Sequence, residues 1–166
     1  SNMDITVERT SRSDRDLVRR MMELYLHDFS EFDGSDLNEH GVFGYGDLDY
    51  FWFEETHAAY IVRVDGQLSG FVLVDNDVVI DDHERSITEF FILRKYRRRG
   101  VGRKVAKQIF DEMPGKWEVR VIGANVPAQS FWRVIISDYT GGRFDERLLA
   151  DDDWTGPIFW FENRPG

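Results

Sequence analysis

A cluster of cations at residues 94–104, RKYRRRGVGRK, is the part of this sequence whose residue types and spacing point most directly to chemistry. It holds seven Lys and Arg residues in a chain of formal net charge −10, and glycines occupy positions 100 and 102. Glycines let a bulky anion approach the backbone, and a helix that begins there offers unpaired N–H groups. Arginines add charge-assisted hydrogen bonds. The cluster therefore predicts a site for a phosphate ester, with side-chain donors from Arg97, Arg98, Arg99 and Arg103.

The charge of the whole chain argues against a nucleic acid as that ligand, because phosphate contacts require an extended basic surface. Residues 21–62 contain ten carboxylates and no Lys or Arg, whereas residues 90–110 contain neither Asp nor Glu. This polarity indicates either two solvated faces or an anionic ligand on one side and a cationic ligand on the other. We expect no nucleic-acid partner.

The elements that must position the cluster follow from hydrophobic periodicity. A capping box at residues 13–16 predicts a first helix that ends near Phe29, and Asp65-Gly66 predicts a tight hairpin between two strands. Residues 86–93 predict a strand, and an apolar 3.6-residue repeat predicts a helix from Gly100 to the stop at Pro114. The whole order is β-α-(short helix)-β-β-β-α-β-α-β-β. It indicates an α+β fold, a mixed sheet with helices packed on it.

Length and composition limit the remaining possibilities. The 166 residues fit one domain, for which we expect the bounds 3–166, because Ser1 and Asn2 precede Met3 and resemble the remnant of an expression tag. The absence of cysteine excludes disulfides and thiolate metal sites. No apolar run approaches the roughly 20 residues of a membrane span. We expect a cytoplasmic protein without a membrane partner.

Two motifs narrow the assignment. YRRRGVG, residues 96–102, resembles the R/Q-x-x-G-x-G/A motif of the GNAT superfamily of N-acetyltransferases, and the apolar strand ITEFFIL precedes it as in that family. After the next strand, NVPAQSFW, residues 125–132, resembles the family's N-x-x-A-x-x-F-Y segment. The motifs cover residues 87–133, and residues 31–55 match nothing in the family pattern. The resemblance implies a GNAT-like fold, a central and mostly antiparallel sheet flanked by helices.

The resemblance also implies a cofactor site for acetyl-CoA, without a metal. The backbone amides of residues 97–102, with Arg103 nearby, would hold the pyrophosphate. Phe91, Ile92 and Leu93 would pair with the pantetheine arm as an added strand, and Asn125 would bond a pantetheine amide. An amide N–H near Ile92 would polarise the thioester carbonyl and stabilise the developing oxyanion. The site residues expected here are therefore Phe91, Ile92, Leu93, Arg97, Arg98, Arg99, Gly100, Gly102, Arg103 and Asn125.

The resemblance makes Glu89 the candidate general base, since several family members carry a carboxylate in this strand. The alternative is that Glu89 points to solvent or pairs with an arginine, and Asp28 and Glu31 are then the reserve bases. Family members often place a tyrosine general acid where this chain has Trp132, whose indole N–H cannot serve as such a donor. Tyr139 is the candidate replacement, and solvent protonation of a thiolate with a pKa of about 8.5 is the alternative.

The expected function is acetyl transfer from acetyl-CoA to a primary amine of a cationic small molecule, which the acidic segment would attract. The alternatives are a protein amine as acceptor, or a GNAT-fold module that binds acyl-CoA without catalysis. His27, His40, His57 and His83 are scattered without the paired spacing of a metal site. The aromatic strand IFWFE near the C-terminus is either core or the interface of a homodimer.

Overall fold

The structure, a computed structural model, describes residues 2–164. Ser1, part of the expected tag remnant, and residues 165–166, at the end of the predicted domain, lie outside this range. The elements are β1 Ile5–Arg9, α1 Arg15–Asp33, α2 Tyr50–Phe53, β2 Ala58–Val64, β3 Gln67–Asp75, β4 Arg85–Ile92, α3 Val101–Glu112, β5 Lys116–Arg120, α4 Val126–Thr140, β6 Asp145–Ala150 and β7 Thr155–Glu162, with 3₁₀ turns at Arg12–Asp14 and Arg94–Tyr96. Their order confirms the predicted one.

The strands form one seven-stranded sheet in the order β1-β2-β3-β4-β5-β7-β6. Every neighbouring pair is antiparallel except β4 and β5, which are parallel. The predicted hairpin joins β2 to β3, and Asp65 and Gly66 both take positive φ, 50° and 81°. That backbone matches the twist of the two flanking strands.

Helices cover both faces of the sheet and divide the core in two. On one face α1 and α2 bury side chains such as Val18, Met22 and Phe51 against β2 and β3. On the other face α3 and α4 bury side chains such as Ile109 and Ile136 against the remaining apolar positions of the strands. This layering is the predicted mixed sheet with packed helices.

Helix α1 departs from the prediction at both ends. The capping pair is Ser11 with Asp14, whose carboxylate accepts from the Ser11 N–H over 3.1 Å, and a 3₁₀ turn precedes the helix. The helix continues one turn past Phe29 to Asp33 and ends where Gly34 takes a left-handed φ of 75°. The extra turn adds Phe32 to the helix.

The strands β4 and β5 diverge, and this divergence opens the sheet. Strand β4 pairs with β3 as far as Ile92, with a register shift opposite Leu73 and Val74 that marks a β-bulge. Strand β5 pairs only with Arg85–Ile87, at the start of β4. The second half of β4 therefore has a paired edge toward β3 and an open edge toward β5.

The segment between α1 and β2 is mostly irregular, as predicted, with α2 as its one short helix among the described residues. The carboxylate of Glu23 on α1 fixes part of it, accepting from the N–H groups of Phe43 and Gly44 over 2.7 and 3.0 Å. At the other end of the chain, β7 lies between β5 and β6 and buries Phe159, so the IFWFE strand belongs to the core. Within residues 2–164 no helix is both long and apolar enough to cross a membrane.

Candidate active site

A cleft of about 770 Å³ opens where β4 separates from β5. The side chains of α1 form one wall, and the start of α3 together with α4 forms the other. Phe90, Phe91 and Ile92 on β4 lie between the two walls. The volume is in the usual range for a small-molecule or cofactor site.

The open edge of β4 presents backbone groups to this cleft. The Leu93 N–H donates to the Ser69 carbonyl over 2.8 Å, so this position is a hydrogen-bonded pair in the ladder with β3. Because such pairs alternate along an antiparallel ladder, the N–H and C=O groups of Phe90 and Ile92 point away from β3. The Ile92 carbonyl accepts from Arg97 Nε over 2.7 Å. The Ile92 N–H is left facing the cleft, as a donor needs to be to reach a bound carbonyl.

The loop after β4 forms a cradle of amides. Arg98 takes a left-handed φ of 60° and Gly100 one of 80° before α3 begins at Val101. Within the described residues no protein acceptor bonds the consecutive N–H groups of residues 98–103. The N–H of Arg97 does not belong to this row, because it donates to the Arg94 carbonyl over 3.1 Å. Consecutive free amides at a helix start make an anion site.

The arginine side chains around the cradle differ in what they contact. Arg97 is held by Asp28, and Arg103 pairs with Asp138 on α4 over 2.9 Å. Arg98 and Arg99 are exposed and form no ion pair with the part of the chain that the structure describes. These two guanidinium groups are available to an incoming phosphate.

Two further residues shape the wall opposite α1. Gly102 packs so closely on Phe131 that a Cβ there would lie 2.8 Å from two ring atoms, so only glycine brings α3 this near to α4. Asn125 caps α4 by accepting from the Ala128 N–H over 3.1 Å through Oδ1. Asn125 lines the cleft, and its Nδ2 group has no protein acceptor among residues 2–164. Both positions were predicted from the motifs.

Glu89 is partly buried on the α1 side of β4, beside the cleft. Its Oε1 accepts from the Tyr25 hydroxyl over 3.1 Å, and no arginine pairs with it among the described residues. Burial raises the pKa of Glu89 to about 7, against the opposing effect of the hydrogen bond from Tyr25. A carboxylate with a pKa near neutrality can accept and return a proton at physiological pH. The reserve base Asp28 is engaged by two arginines.

Comparison with known proteins assigns the family. A sequence model of the acetyltransferase (GNAT) family matches residues 18–135. The chain belongs to this family. The comparison with curated protein sequences finds no significant match. This result confirms the GNAT resemblance that the two sequence motifs indicated. The GNAT family uses acetyl-CoA.

Solved GNAT structures share the fold. An acetyltransferase from Thermus thermophilus is 17% identical, covers 96% of this chain and 97% of its own, and gives a TM-score of 0.70. A putative streptothricin acetyltransferase from Bacillus anthracis str. Ames, in complex with acetyl coenzyme A, is 16% identical, with coverage of 97% and 99% and a TM-score of 0.57. The ribosomal-protein-S18-alanine N-acetyltransferase from Escherichia coli is 14% identical, with coverage of 95% and 91% and a TM-score of 0.54. At these identities the likeness confirms the GNAT-like fold.

The structure does not bring Tyr139 to the GNAT cleft. Its hydroxyl donates to Asp111 over 2.7 Å and accepts from Asn163 Nδ2 over 3.1 Å, in a separate groove beside α3 and α4. Trp132 does line the cleft, where its ring packs edge-on against Phe90 with centroids 4.9 Å apart. The described residues contain no group of three or more His, Asp or Glu that could hold a metal ion.

Sequence reasoning missed the tyrosine that bonds Glu89. Tyr25 lies on the core side of α1, where its ring packs on Phe71 and Phe91 with centroids 5.8 Å away. Its hydroxyl reaches a residue 64 positions further along the chain. The one sequence feature that could have indicated this contact is a tyrosine on the core side of a helix, because a buried hydroxyl usually has a hydrogen-bond partner.

Proposed function

We propose that this GNAT protein is an acetyl-CoA-dependent N-acetyltransferase whose acceptor is a primary amine of a cationic small molecule. The observation that carries the proposal is the position of the Glu89 carboxylate, which lies beside the open edge of β4, accepts from the Tyr25 hydroxyl and has no arginine partner among the described residues. Burial there raises its pKa to about 7. A domain that only bound acyl-CoA would have no use for a titratable carboxylate at that position. Site clefts of enzymes are where such perturbed pKa values concentrate.

The cofactor side of the cleft offers the groups that acetyl-CoA requires. The free amides of residues 98–103, with the guanidinium groups of Arg98 and Arg99, suit the pyrophosphate. The outward backbone groups of Phe90 suit the pantetheine arm, as does Asn125 Nδ2. Bound there, the cofactor supplies an acetyl thioester, whose carbonyl carbon is attacked and whose thiolate leaves.

The chain then handles one proton and one developing charge. Glu89, ionised at pH above about 7, removes a proton from the acceptor ammonium, and the neutral amine attacks the thioester carbonyl. The Ile92 N–H stabilises the oxyanion that forms, a type of contact worth a few kcal/mol. Tyr25 holds the Glu89 carboxylate in place. The tetrahedral intermediate then breaks its C–S bond, and the nitrogen gives its second proton to solvent. With Tyr139 outside the cleft, solvent also protonates the departing thiolate, whose pKa of about 8.5 requires no enzymic acid.

The test is the release of free CoA thiol from acetyl-CoA across polyamines, aminoglycosides, amino acids, hydrophobic amines and basic peptides, with calorimetric titration of acetyl-CoA in parallel. Amine-dependent release that Glu89→Gln abolishes, without loss of acetyl-CoA affinity, supports the proposal. Release with peptides alone would move the acceptor to a protein amine. Tight acetyl-CoA binding without release for any acceptor would overturn the transferase in favour of a binding module.

A further inference from the structure

Three aromatic side chains follow one another along the cleft side of α1. Tyr25, Phe29 and Phe32 all line the cleft. Their rings are in contact in sequence, with centroids 5.7 Å apart for Tyr25 and Phe29 and 6.5 Å apart for Phe29 and Phe32. Spacings of four and three residues place all three on one face of a helix. We call these three residues the aromatic row.

The outer two members of the aromatic row do not serve the core. Among the described residues, neither Phe29 nor Phe32 belongs to either buried cluster or to the apolar side chains packed against those clusters, whereas Tyr25 packs on one of them. Both rings are partly exposed, on a helix whose other face is buried. Such contiguous apolar surface in a cleft marks a binding site.

The aromatic row begins at the candidate base and leads outward. The Tyr25 hydroxyl bonds Glu89, so the inner end of the row marks where an amine would lose its proton. From Tyr25 to Phe32 the helix rises by about 10 Å. An amine deprotonated at Glu89 would therefore have its remaining atoms over Phe29 and Phe32. A polyamine or an aminoglycoside would bring further charges or hydroxyls against these rings and leave them poorly solvated.

We infer that the acceptor is a primary amine carrying an aromatic or bulky apolar group, which packs on Phe29 and Phe32 while its ammonium meets Glu89. This inference rests on the proposed function and adds the acceptor class. One positive charge and an apolar body match the chemistry along the row, with the Glu89 carboxylate bonded to Tyr25 at its inner end and the rings of Phe29 and Phe32 beyond it.

The first experiment compares acceptors. With acetyl-CoA saturating, 2-phenylethylamine is expected to give a higher kcat/KM than ethylamine and spermidine, by about tenfold or more, as burial of an aromatic group in an apolar pocket allows. Binding of 2-phenylethylamine to the protein loaded with CoA, followed by calorimetry, gives a readout independent of turnover. Binding without turnover would leave the acceptor class standing and count against the transferase. Preference for spermidine, or no binding of 2-phenylethylamine, would overturn the inference while other amines could still support the transferase.

The second experiment removes the rings. Phe29→Ala and Phe32→Ala are each expected to raise KM for 2-phenylethylamine by about tenfold and to leave KM for ethylamine within about twofold. Phe29→Leu should recover most of the loss. Leu24→Ala is the matched control, because Leu24 lies on the same helix, is 52% exposed and does not line the cleft. If the two alanine variants instead weaken octanoyl-CoA and leave amines unaffected, the row holds an acyl chain and the inference is wrong.

Discussion

Asp28 on α1 and Arg97 after β4 form a salt bridge, with Arg97 Nη2 2.6 Å from Asp28 Oδ2. The same guanidinium donates through Nε to the Ile92 carbonyl over 2.7 Å. Arg94 adds a second bridge to the other oxygen of Asp28, over 2.8 Å. One carboxylate thus joins the helix of the acceptor side to the loop that begins the cofactor side.

Asp28→Asn should weaken this junction. The substitution keeps the shape of the side chain and removes the charge that two arginines share, so we expect the free energy of unfolding to fall by about 1 kcal/mol, the scale of partly exposed ion pairs. Urea denaturation measures it. Asp16→Asn is the control, because Asp16 lies on the same helix and meets Arg15 at 3.9 Å, away from the cleft. Equal effects of the two substitutions would contradict the structural role of Asp28.

Glu89→Gln should remove the base without disturbing the cofactor. We expect kcat/KM for the best acceptor to fall by about 10² to 10⁴, the usual contribution of a general base. In the parent protein kcat/KM should rise with pH through an apparent pKa of about 7, as Glu89 ionises. The variant should lose that limb while its calorimetric Kd for acetyl-CoA stays the same. If the rise of kcat/KM near pH 7 persists in Glu89→Gln, another group is responsible for it.

Tyr25→Phe should shift the pH at which kcat/KM rises. The Tyr25 hydroxyl donates to the ionised carboxylate and lowers the pKa of Glu89, so its removal raises that pKa and moves the rise in kcat/KM to higher pH. The pH profile of kcat/KM measures the shift. Tyr139→Phe loses a hydroxyl of the same kind outside the cleft and should leave the profile in place. A shift in Tyr139→Phe would return that residue to the mechanism.

Folding stability should carry the signature of the same carboxyl group. The pKa of Glu89 is raised to about 7 in the folded protein, whereas an unfolded glutamate titrates near about 4.3. The folded state therefore binds this proton more tightly, and the stability that protonation provides is present at low pH and lost as pH rises toward 7. The free energy of unfolding of Glu89→Gln, measured relative to that of the parent, should therefore be higher at pH 8 than at pH 4 by on the order of 3 kcal/mol. Denaturation at these two pH values measures the gain, and a difference that does not change with pH would contradict it.

Gly102→Ala should force α3 away from α4. The added Cβ meets the Phe131 ring at 2.8 Å, and overpacking of this kind costs about 1 to 3 kcal/mol. Displacement of the first turn of α3 should also weaken acetyl-CoA binding, which calorimetry detects. Gly123→Ala is the control, because nothing lies within 4 Å of a Cβ there. Phe131→Leu in the Gly102→Ala background should restore part of both losses. If Gly102→Ala changed neither stability nor acetyl-CoA affinity, the Phe131 ring would be able to move aside and the predicted strain would be absent.

The sequence predicted those parts of the site that are local in the chain. The strand before the basic cluster, the glycines at 100 and 102, and the motif that begins at Asn125 each follow from a short pattern, so their places were foreseeable. The direction of the Ile92 N–H depends on the register with β3, and the partner of Arg97 lies on α1, 69 positions away. Such contacts depend on how elements pack, which no local pattern encodes. Phe32 was missed because α1 runs a turn beyond its predicted end.

The divergence of β4 from β5 also decides where this protein is exposed to unwanted association. A free strand edge is a template on which another polypeptide can add a strand and begin aggregation. The free edge of β4 lies in the interior of the sheet, because β5, β7 and β6 follow it in the strand order. A further polypeptide therefore has little room to add a strand there. The two outer margins of the sheet are β1 and β6, and Leu148 on β6 is 76% exposed. The charged residues Asp145, Glu146 and Arg147 of β6 are the kind that block such pairing, so protection against strand addition is needed at the outer strands rather than at the cleft.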